Sequence, residues 1–439
     1  MSKCFSPPSA VREMKQLERE AFRLIVQTGF VEFVAPAARL GPVLAALKPH
    51  ILKLPNLKPI STGERNVKKA YLDPHHFHSA DVEETLRRNG LREGDFRVGD
   101  EFIELNYHNW TAEDIFKAVL PEDSSFSSYS LIGHIAHVNL REHLQPYKWL
   151  IGEVLLDKIP RCKTVVNKVE IIENEYRNLT FEHLAGERFY VTRVREHGFT
   201  YELDFGSVFW NPRLSTEHAR LVSKFAPGDV VFDVFAGIGP FSIPAAAKRC
   251  TVIANDLNSD CIAWLQKNCQ LNKVSVEAHC LDGRTFLMDV CPKVMASMQA
   301  SDCASGRFHV IMNLPAMSVE FLPFLDGIGS LLCTDKEQRQ PTVLVHCYTF
   351  SKAADPSAAA EDAVREKFYG ARLQDLAVHD VRHVSPGKHM LCVSFKFAGV
   401  EKSEAEISVR TAELHWKVDR MEREKPRALE FNKRFLNLA

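Results

Sequence analysis

The chain has 439 residues, a formal net charge of −1, 45% hydrophobic and 25% charged residues. That length predicts two or three compact units rather than one, and the neutral balance excludes a protein that is basic throughout, so any nucleic-acid surface must be local. No run of about 18 apolar residues is present, so no helical membrane span is expected, and eleven scattered cysteines without a CxxC pair fit reduced core thiols rather than a disulfide framework or zinc ribbon.

The opening MSKCFSPPSAVREMKQLERE lacks an apolar signal-peptide core and is too rich in Glu for a mitochondrial presequence. A first module, 1–120, mixes short strands (FVEFVA, FRVGDEFIEL) with helical stretches. Thr111 and Asp114 form a capping-box pattern for a helix running through Val119. PEDSSFSSYS at 121–130 is polar and Ser-rich and marks the expected boundary. The next unit, 130–205, alternates apolar and polar residues in GHIAHVNL, continues in a helix from Leu144 to Asp157, and then gives strands TVVNKVEII, RFYVTRV and FTYELDF.

Over 206–399 the pattern becomes strand, helix, strand. DVVFDVFA, TVIANDL, SVEAHCLD, HVIMNLP and TVLVHCYTF are short apolar strands, which predicts an α/β domain with a doubly wound, mostly parallel sheet. LAVHDVRHV and HMLCVSFKFA, flanking SPGK, read as a closing antiparallel pair. Residues 400–439 form a charged tail, helical or disordered, with a contribution to RNA binding as the alternative.

The richest segment runs from Asp233 to Asn313. Gly237 and Gly239 sit in a turn between strand and helix, where glycine lets the backbone turn tightly and approach a ligand. Ser242 stands where a dinucleotide fingerprint would carry its third glycine. Asp256 follows the next strand, about 20 residues on, where a carboxylate accepts both ribose hydroxyls of an adenosine. Asp282 ends the third strand and is placed to reach an adenine amino group, and Asn313 ends the fourth. Each of the four polar residues taken alone is equally well a helix N-cap; four at successive strand ends mark the ligand edge of an open α/β sheet. Both NAD and S-adenosylmethionine satisfy this adenosine logic. Asn313-Leu-Pro favours the methyl donor, because amino-directed methyltransferases carry a similar turn there.

Upstream, GSVFWNPRLSTEHARLV places Ser215 or Thr216 as a helix cap, with Glu217 and His218 in the first turn. Glu217 reads either as a carboxylate favoured by the helix dipole or as a group facing the ligand edge. Phe209 or Trp210 could stack on a base, with core packing the alternative for Trp210. Lys163, Lys168, Arg188, Arg193 and Arg195 make the middle unit locally basic, as a phosphate-following surface or as solvated strand edges. DPHHFH at 73–78 lacks a partner at ligand spacing, as do Cys261 and Cys269, so no metal is expected.

These segments, in order, resemble the eukaryotic branch of the tRNA (guanine-37-N1)-methyltransferases: PPSAVREM, IGHIAHVNLRE, KTVVNK, NEYRN, LAGE, FWNPRLSTEH, FDVFAGIGPFSIPAA, ANDLN, LDG, MNLPAMSVEFL and VSPGKHMLCVSF. The resemblance covers most of the chain. It implies a class I, Rossmann-like methyltransferase domain behind two smaller α+β domains, S-adenosyl-L-methionine as cofactor and tRNA as substrate. It implies Glu217 as general base, Arg177 on guanine O6 and Asn313 positioning the base, with Arg213, Phe209 and Pro315 touching the substrate. His218, Asp233, Gly237, Gly239, Asp256, Leu257, Asp282, Gly283 and Asn313 would line the cofactor. Archaeal members often carry Arg at the place of His218 and a second Pro at that of Leu314, which leaves the role of His218 open.

The implied roles agree with the chemistry. Guanine N1 carries a proton that a carboxylate must take as the methyl arrives, and a guanidinium stabilises the charge developing on O6. No metal is required, because the sulfonium is already activated. A monomer in the cytoplasm is expected, with the nucleus and the mitochondrial matrix as further compartments. The alternatives are an aminocarboxypropyl transferase of wybutosine synthesis and a silent methyltransferase fold that binds RNA.

Overall fold

The computed structural model describes residues 5–34, 40–62, 67–75, 78–126, 128–168, 181–299, 307–332, 341–368, 371–400 and 413–414. Almost all of the charged tail, with Arg177 and the end of TVVNKVEII, lies outside them. The chain divides into one unit of Met1–Val169 with Phe181–Phe189 and another of Glu170–Thr180 with Tyr190–Ala439.

In the first unit β1 (Leu24–Phe33), β2 (Ile60–Thr62), β3 (Lys68–Leu72) and β4 (Phe96–Leu105) form an antiparallel sheet in the order β2-β3-β1-β4. Helices Leu40–Leu47 and Ser79–Arg88 pack on it through Val43, Leu47, Val82 and Leu86, against Val31, Phe33, Ala70 and Leu72. The expected capping box is present: Thr111 Oγ1 accepts from Asp114 N at 3.2 Å and Asp114 Oδ2 accepts from Thr111 N at 2.9 Å. A second sheet runs β5 (Ser130–Ile132), β6 (Ile135–Val138), β7 (Thr164–Lys168), β8 (Phe181–Gly186). Its β6 and β7 are parallel, with helix Lys148–Lys158 in the crossover between them.

The division corrects the three-part reading of 1–120, 130–205 and 206–399. The polar run 121–130 is no break in packing, because one core joins Val11, Phe22, Leu105, Trp110 and Phe116 before it to Val138, Leu150, Val165 and Leu184 after it. Polarity there marks a solvated connection over a continuous core. The second boundary falls at Phe189 instead of 205, because β9 (Val191–Glu196) and β10 (Phe199–Asp204) are fastened downstream. Asn268 bonds both Glu202 N (2.7 Å) and Glu202 O (3.0 Å), and Asn272 does the same to Thr200 N (2.9 Å) and O (2.7 Å). Four residues apart on helix Ser259–Asn272, these amides lie on one helix face and satisfy the free edge of β10.

The second unit carries β11 (Val230–Asp233), β12 (Thr251–Asn255), β13 (Glu277–His279), β14 (Phe308–Met312), β15 (Val343–Ser351), β16 (Ala371–Ser385) and β17 (Lys388–Val400). They form one sheet, β13-β12-β11-β14-β15-β17-β16. The first five strands are parallel; β17 runs antiparallel to β15 and β16 pairs antiparallel with β17, which is the closing antiparallel pair expected. The strands read as nearly unbroken apolar runs because both faces are covered. Val230 and Phe232 pack into one core with Phe286, Val310 and Leu322, while Val231 packs into another with Leu221, Phe241 and Ile311. Cys291 and Cys347 fill the first core and Cys250 and Cys392 the second, the filler role expected of the thiols. No helix among the described residues is long and apolar enough to cross a membrane.

Candidate active site

The sheet order reverses direction at β11, whose neighbours are β12 and β14. A ligand crevice opens at the carboxyl end of such a switch point, and Asp233, Asp256, Asp282 and Asn313 all lie at strand ends on that edge. The glycine turn after β11 has Gly237 at φ +53° and Gly239 at φ +96°. A Cβ on Gly239 would stand 2.5 Å from Leu265 Cδ1, so this glycine is required by the packing of helix Ser259–Asn272 against the turn. Gly237 N donates to Asp256 Oδ2 (2.8 Å), and Asn258 N donates to Asp256 Oδ1 (2.9 Å). The Cys261 thiol also bonds this carboxylate, and of its roughly four lone-pair positions one stays open for a hydroxyl.

Ser242 explains the missing third glycine: its Oγ donates to the buried Asp233 Oδ2 at 2.6 Å. Asn255, which sequence reasoning passed over, is fully buried; its Nδ2 donates to Val234 O (3.1 Å) and Leu281 O (3.0 Å), and its Oδ1 accepts from Leu281 N (2.9 Å). One side chain thus ties three strand ends together, and its only signal was an amide at the end of an apolar strand. Asp282 is a helix N-cap: it accepts from Arg284 N (2.8 Å) and pairs with the Arg284 guanidinium (3.0 Å). At Gly283 a Cβ would meet the rings of Phe235 (2.9 Å) and Phe321 (3.0 Å), and Leu257 is half-buried beside Asp256.

Burial pushes the Asp233 carboxyl up to about 7, against the Ser242 hydrogen bond and with the help of nearby Asp256. Burial also raises Asp256, opposed by the Asn258 and Gly237 amides. Asp233 Oδ1 and Asn313 Oδ1 are both buried without a hydrogen-bond partner. Two raised carboxylates and two orphaned acceptors suit a ligand bearing hydroxyls, an ammonium and a sulfonium. They oppose a pyrophosphate, which needs donors and positive charge.

Glu217 lies on helix Ser215–Ser223 and is 4% exposed. Neither Ser215 nor Thr216 caps that helix: a 3-10 turn, Pro212–Leu214, precedes it, Asn211 caps the turn, and Ser215 Oγ meets His197 Nε2 at 2.9 Å. Pro212 starts the helical path one turn early, which moves the cap upstream. Among the described residues no backbone amide donates to the Glu217 carboxylate. Arg220 Nε donates to Oε2 (2.5 Å), and Arg220 Nη2 (2.6 Å) and Tyr348 Oη (2.6 Å) both donate to Oε1. His218 Nδ1 meets Glu196 Oε1 at 2.7 Å, a partner invisible in the sequence, and its ring stands edge-on to Phe241 of the glycine turn at 4.8 Å.

Trp210 is core, packed on Tyr201 at 5.3 Å, whereas Phe209 is 55% exposed and Arg213 is exposed. Pro315 lines a cavity of about 380 Å³ with Met317, Val319, Glu320, Thr349 and Lys367. The basic residues do not form one set: Lys163, Lys168 and Arg188 belong to the first unit, Arg193 and Arg195 to the second. Arg177 lies outside the described residues. So do two residues of DPHHFH; among the described residues the one grouping of metal-binding type is Asp380, His383 and His389, with donor atoms within 4.8 Å of one another.

A sheet of this order, with a glycine turn after its central strand and carboxylates at the next strand ends, defines a Rossmann-like methyltransferase. Residues 192–331 match the TRM5/TYW2 methyltransferase domain and residues 112–189 the TYW2 N-terminal domain, which meet at the boundary between the two units. The chain is 42% identical over 405 residues to the tRNA (guanine(37)-N(1))-methyltransferase of Drosophila melanogaster, covering 89% of this chain and 87% of that one. The corresponding enzyme of Mus musculus is 42% identical over 404 residues (90% and 79% covered), and that of Homo sapiens 41% over 404 (89% and 78%). The chain belongs to the tRNA (guanine(37)-N(1))-methyltransferase family. Its fold is shared with Trm5b of Pyrococcus abyssi (24% identity, TM-score 0.55, 84% and 99% covered) and with aTrm5 solved with tRNALeu (23%, 0.59, 84% and 99%).

Proposed function

We propose that the protein transfers a methyl group from S-adenosylmethionine to N1 of guanosine 37 in tRNA. The observation that carries this reading is family membership over nine-tenths of the chain, joined to a strand-end edge whose orphaned acceptors, Asp233 Oδ1 and Asn313 Oδ1, fit a cationic nucleoside. When bound, S-adenosylmethionine supplies an electrophilic methyl group. Asp256 would hold its ribose, Asp233 its ammonium, and the turn at Gly237 and Gly239 lets the backbone come close.

Glu217 takes the N1 proton, Arg177 stabilises negative charge on O6, and Asn313 with Pro315 positions the base. Exposed Phe209 and Arg213 flank the entering nucleotide, and Phe209 replaces Trp210 as the stacking ring because Trp210 is buried. The N-terminal module, residues 1–120, contacts the tRNA body, and the protein acts as a monomer in the cytoplasm, with nucleus and mitochondrial matrix as further sites.

Mass analysis of nucleosides from the product tRNA tests the reaction class. N1-methylguanosine is expected. An aminocarboxypropyl adduct would overturn the reading in favour of the related transferase chemistry.

A further inference from the structure

The surroundings of Glu217 hold more than a base needs. A carboxylate has about four lone-pair positions, and three are filled here, two by the fork of Arg220 and one by Tyr348. Tyr348 on β15, Cys392 on β17 and His379 on β16 are direct cross-strand neighbours, so they form one row facing the helix. His379 Nε2 stands 3.6 Å from Glu217 Oε2, and Cys392 is close enough for its own ionisation to be opposed by the Glu217 charge. Among the described residues, Arg220 from the same helix and this row are the titratable groups that face Glu217.

The two carboxylate oxygens are not equivalent. Oε1 accepts two bonds, whereas Oε2 accepts one, from Arg220 Nε. Tyr348 is a permanent donor, because burial first, and then Cys392 and Glu217, hold its phenol well above the ordinary value. A guanidinium engaged through two bonds opposes protonation of its carboxylate. The fourth lone-pair position, on Oε2, is the one that these donors leave for the guanine proton.

Accepting Glu217 as the base, we infer that Arg220 is its positioning residue, holding the carboxylate charged against Tyr348 so that the unfilled lone pair of Oε2 is the one offered to guanine. The N1–H bond then breaks, and its proton binds Oε2. Arg220 keeps both of its bonds, and the proton passes from Oε2 to solvent once the methylated base has left.

Single-turnover methylation of G37 tRNA by the full chain, followed against pH, tests the inference with Arg220→Ala, Arg220→Gln, Arg220→Lys, Tyr348→Phe and Glu217→Gln. Arg220→Ala should move the acid limb of the profile up by about one pH unit, an about tenfold loss on that limb, while the rate recovers in alkali. Cofactor affinity should stay within about twofold of the unmodified chain. Arg220→Lys should restore most of the limb position, and Tyr348→Phe should shift it the same way as alanine but by less; Arg220→Gln, which removes the charge and keeps donors, should move the limb as alanine does and carries the test if the alanine variant does not fold. An unmoved limb, or a rate lowered equally at every pH, overturns the role of Arg220. Normal turnover by Glu217→Gln instead overturns the assignment of the base itself, whatever Arg220 does.

Discussion

Asp256 accepts a 2.8 Å hydrogen bond from the backbone nitrogen of Gly237, nineteen residues earlier in the chain. The carboxylate at the end of β12 is therefore oriented by the turn that follows β11 before any ligand arrives, and ligand binding need not order it. Replacing Asp256 with alanine removes both the anchor and the hydroxyl acceptor. Affinity for S-adenosylmethionine, measured by calorimetry, should fall by about ten- to a hundredfold, or about 1.4–2.8 kcal/mol. Unchanged affinity would remove Asp256 from the ribose site.

Asp233 should make cofactor binding pH-dependent. Its folded value of about 7 lies above the ordinary carboxylate value of about 3.9, because burial disfavours the charge. The protonated form therefore lends the free protein stability that is complete below about pH 4 and is lost as pH rises to about 7. A bound ammonium reverses the preference. Affinity should rise by up to about tenfold per pH unit below 7 and level off above it, and Asp233→Asn should flatten the slope. A flat profile for the unmodified chain would show that Asp233 does not ionise on binding.

The two glycines of the turn should respond unequally to alanine. Gly239 combines φ +96° with a Cβ position 2.5 Å from Leu265 Cδ1, whereas nothing stands within 4 Å of the Cβ position on Gly237 at φ +53°. Gly239→Ala should destabilise the second unit by about 2 kcal/mol or more, from strain plus overpacking. Gly237→Ala should cost about 1 kcal/mol, from strain alone. Thermal melts of the two variants check the order.

Glu217→Gln keeps the shape of the side chain and removes its charge and its basicity. The chemical step should slow by about a hundredfold or more, while cofactor affinity stays close to that of the unmodified chain. Rapid-quench single turnovers, with calorimetry on the same preparation, separate the two quantities.

Local patterns carried much of the architecture. The alternation of apolar runs and helices marked the parallel sheet, SPGK marked the closing hairpin, and Thr111 with Asp114 marked a real cap. The candidate cofactor edge was legible because its residues follow strands that could each be found separately. What stayed hidden was long-range pairing. Tyr348 reaches Glu217 across 131 residues and Glu196 reaches His218 across 22, and no local period encodes either bond. The boundary at 121–130 misled because a polar surface connection says nothing about the core beneath it. Trp210 and Phe209, adjacent in sequence, part ways only when the fold buries one and exposes the other.

The central claim concerns one atom of one base, and unmodified tRNA transcripts differing only at position 37 test it most directly. With S-adenosylmethionine present, the G37 transcript should yield N1-methylguanosine mapped to position 37, the A37 transcript should yield none, and Glu217→Gln should suppress the product. Equal methylation of both transcripts, or methylation of G37 tRNA at any other position, would contradict the account.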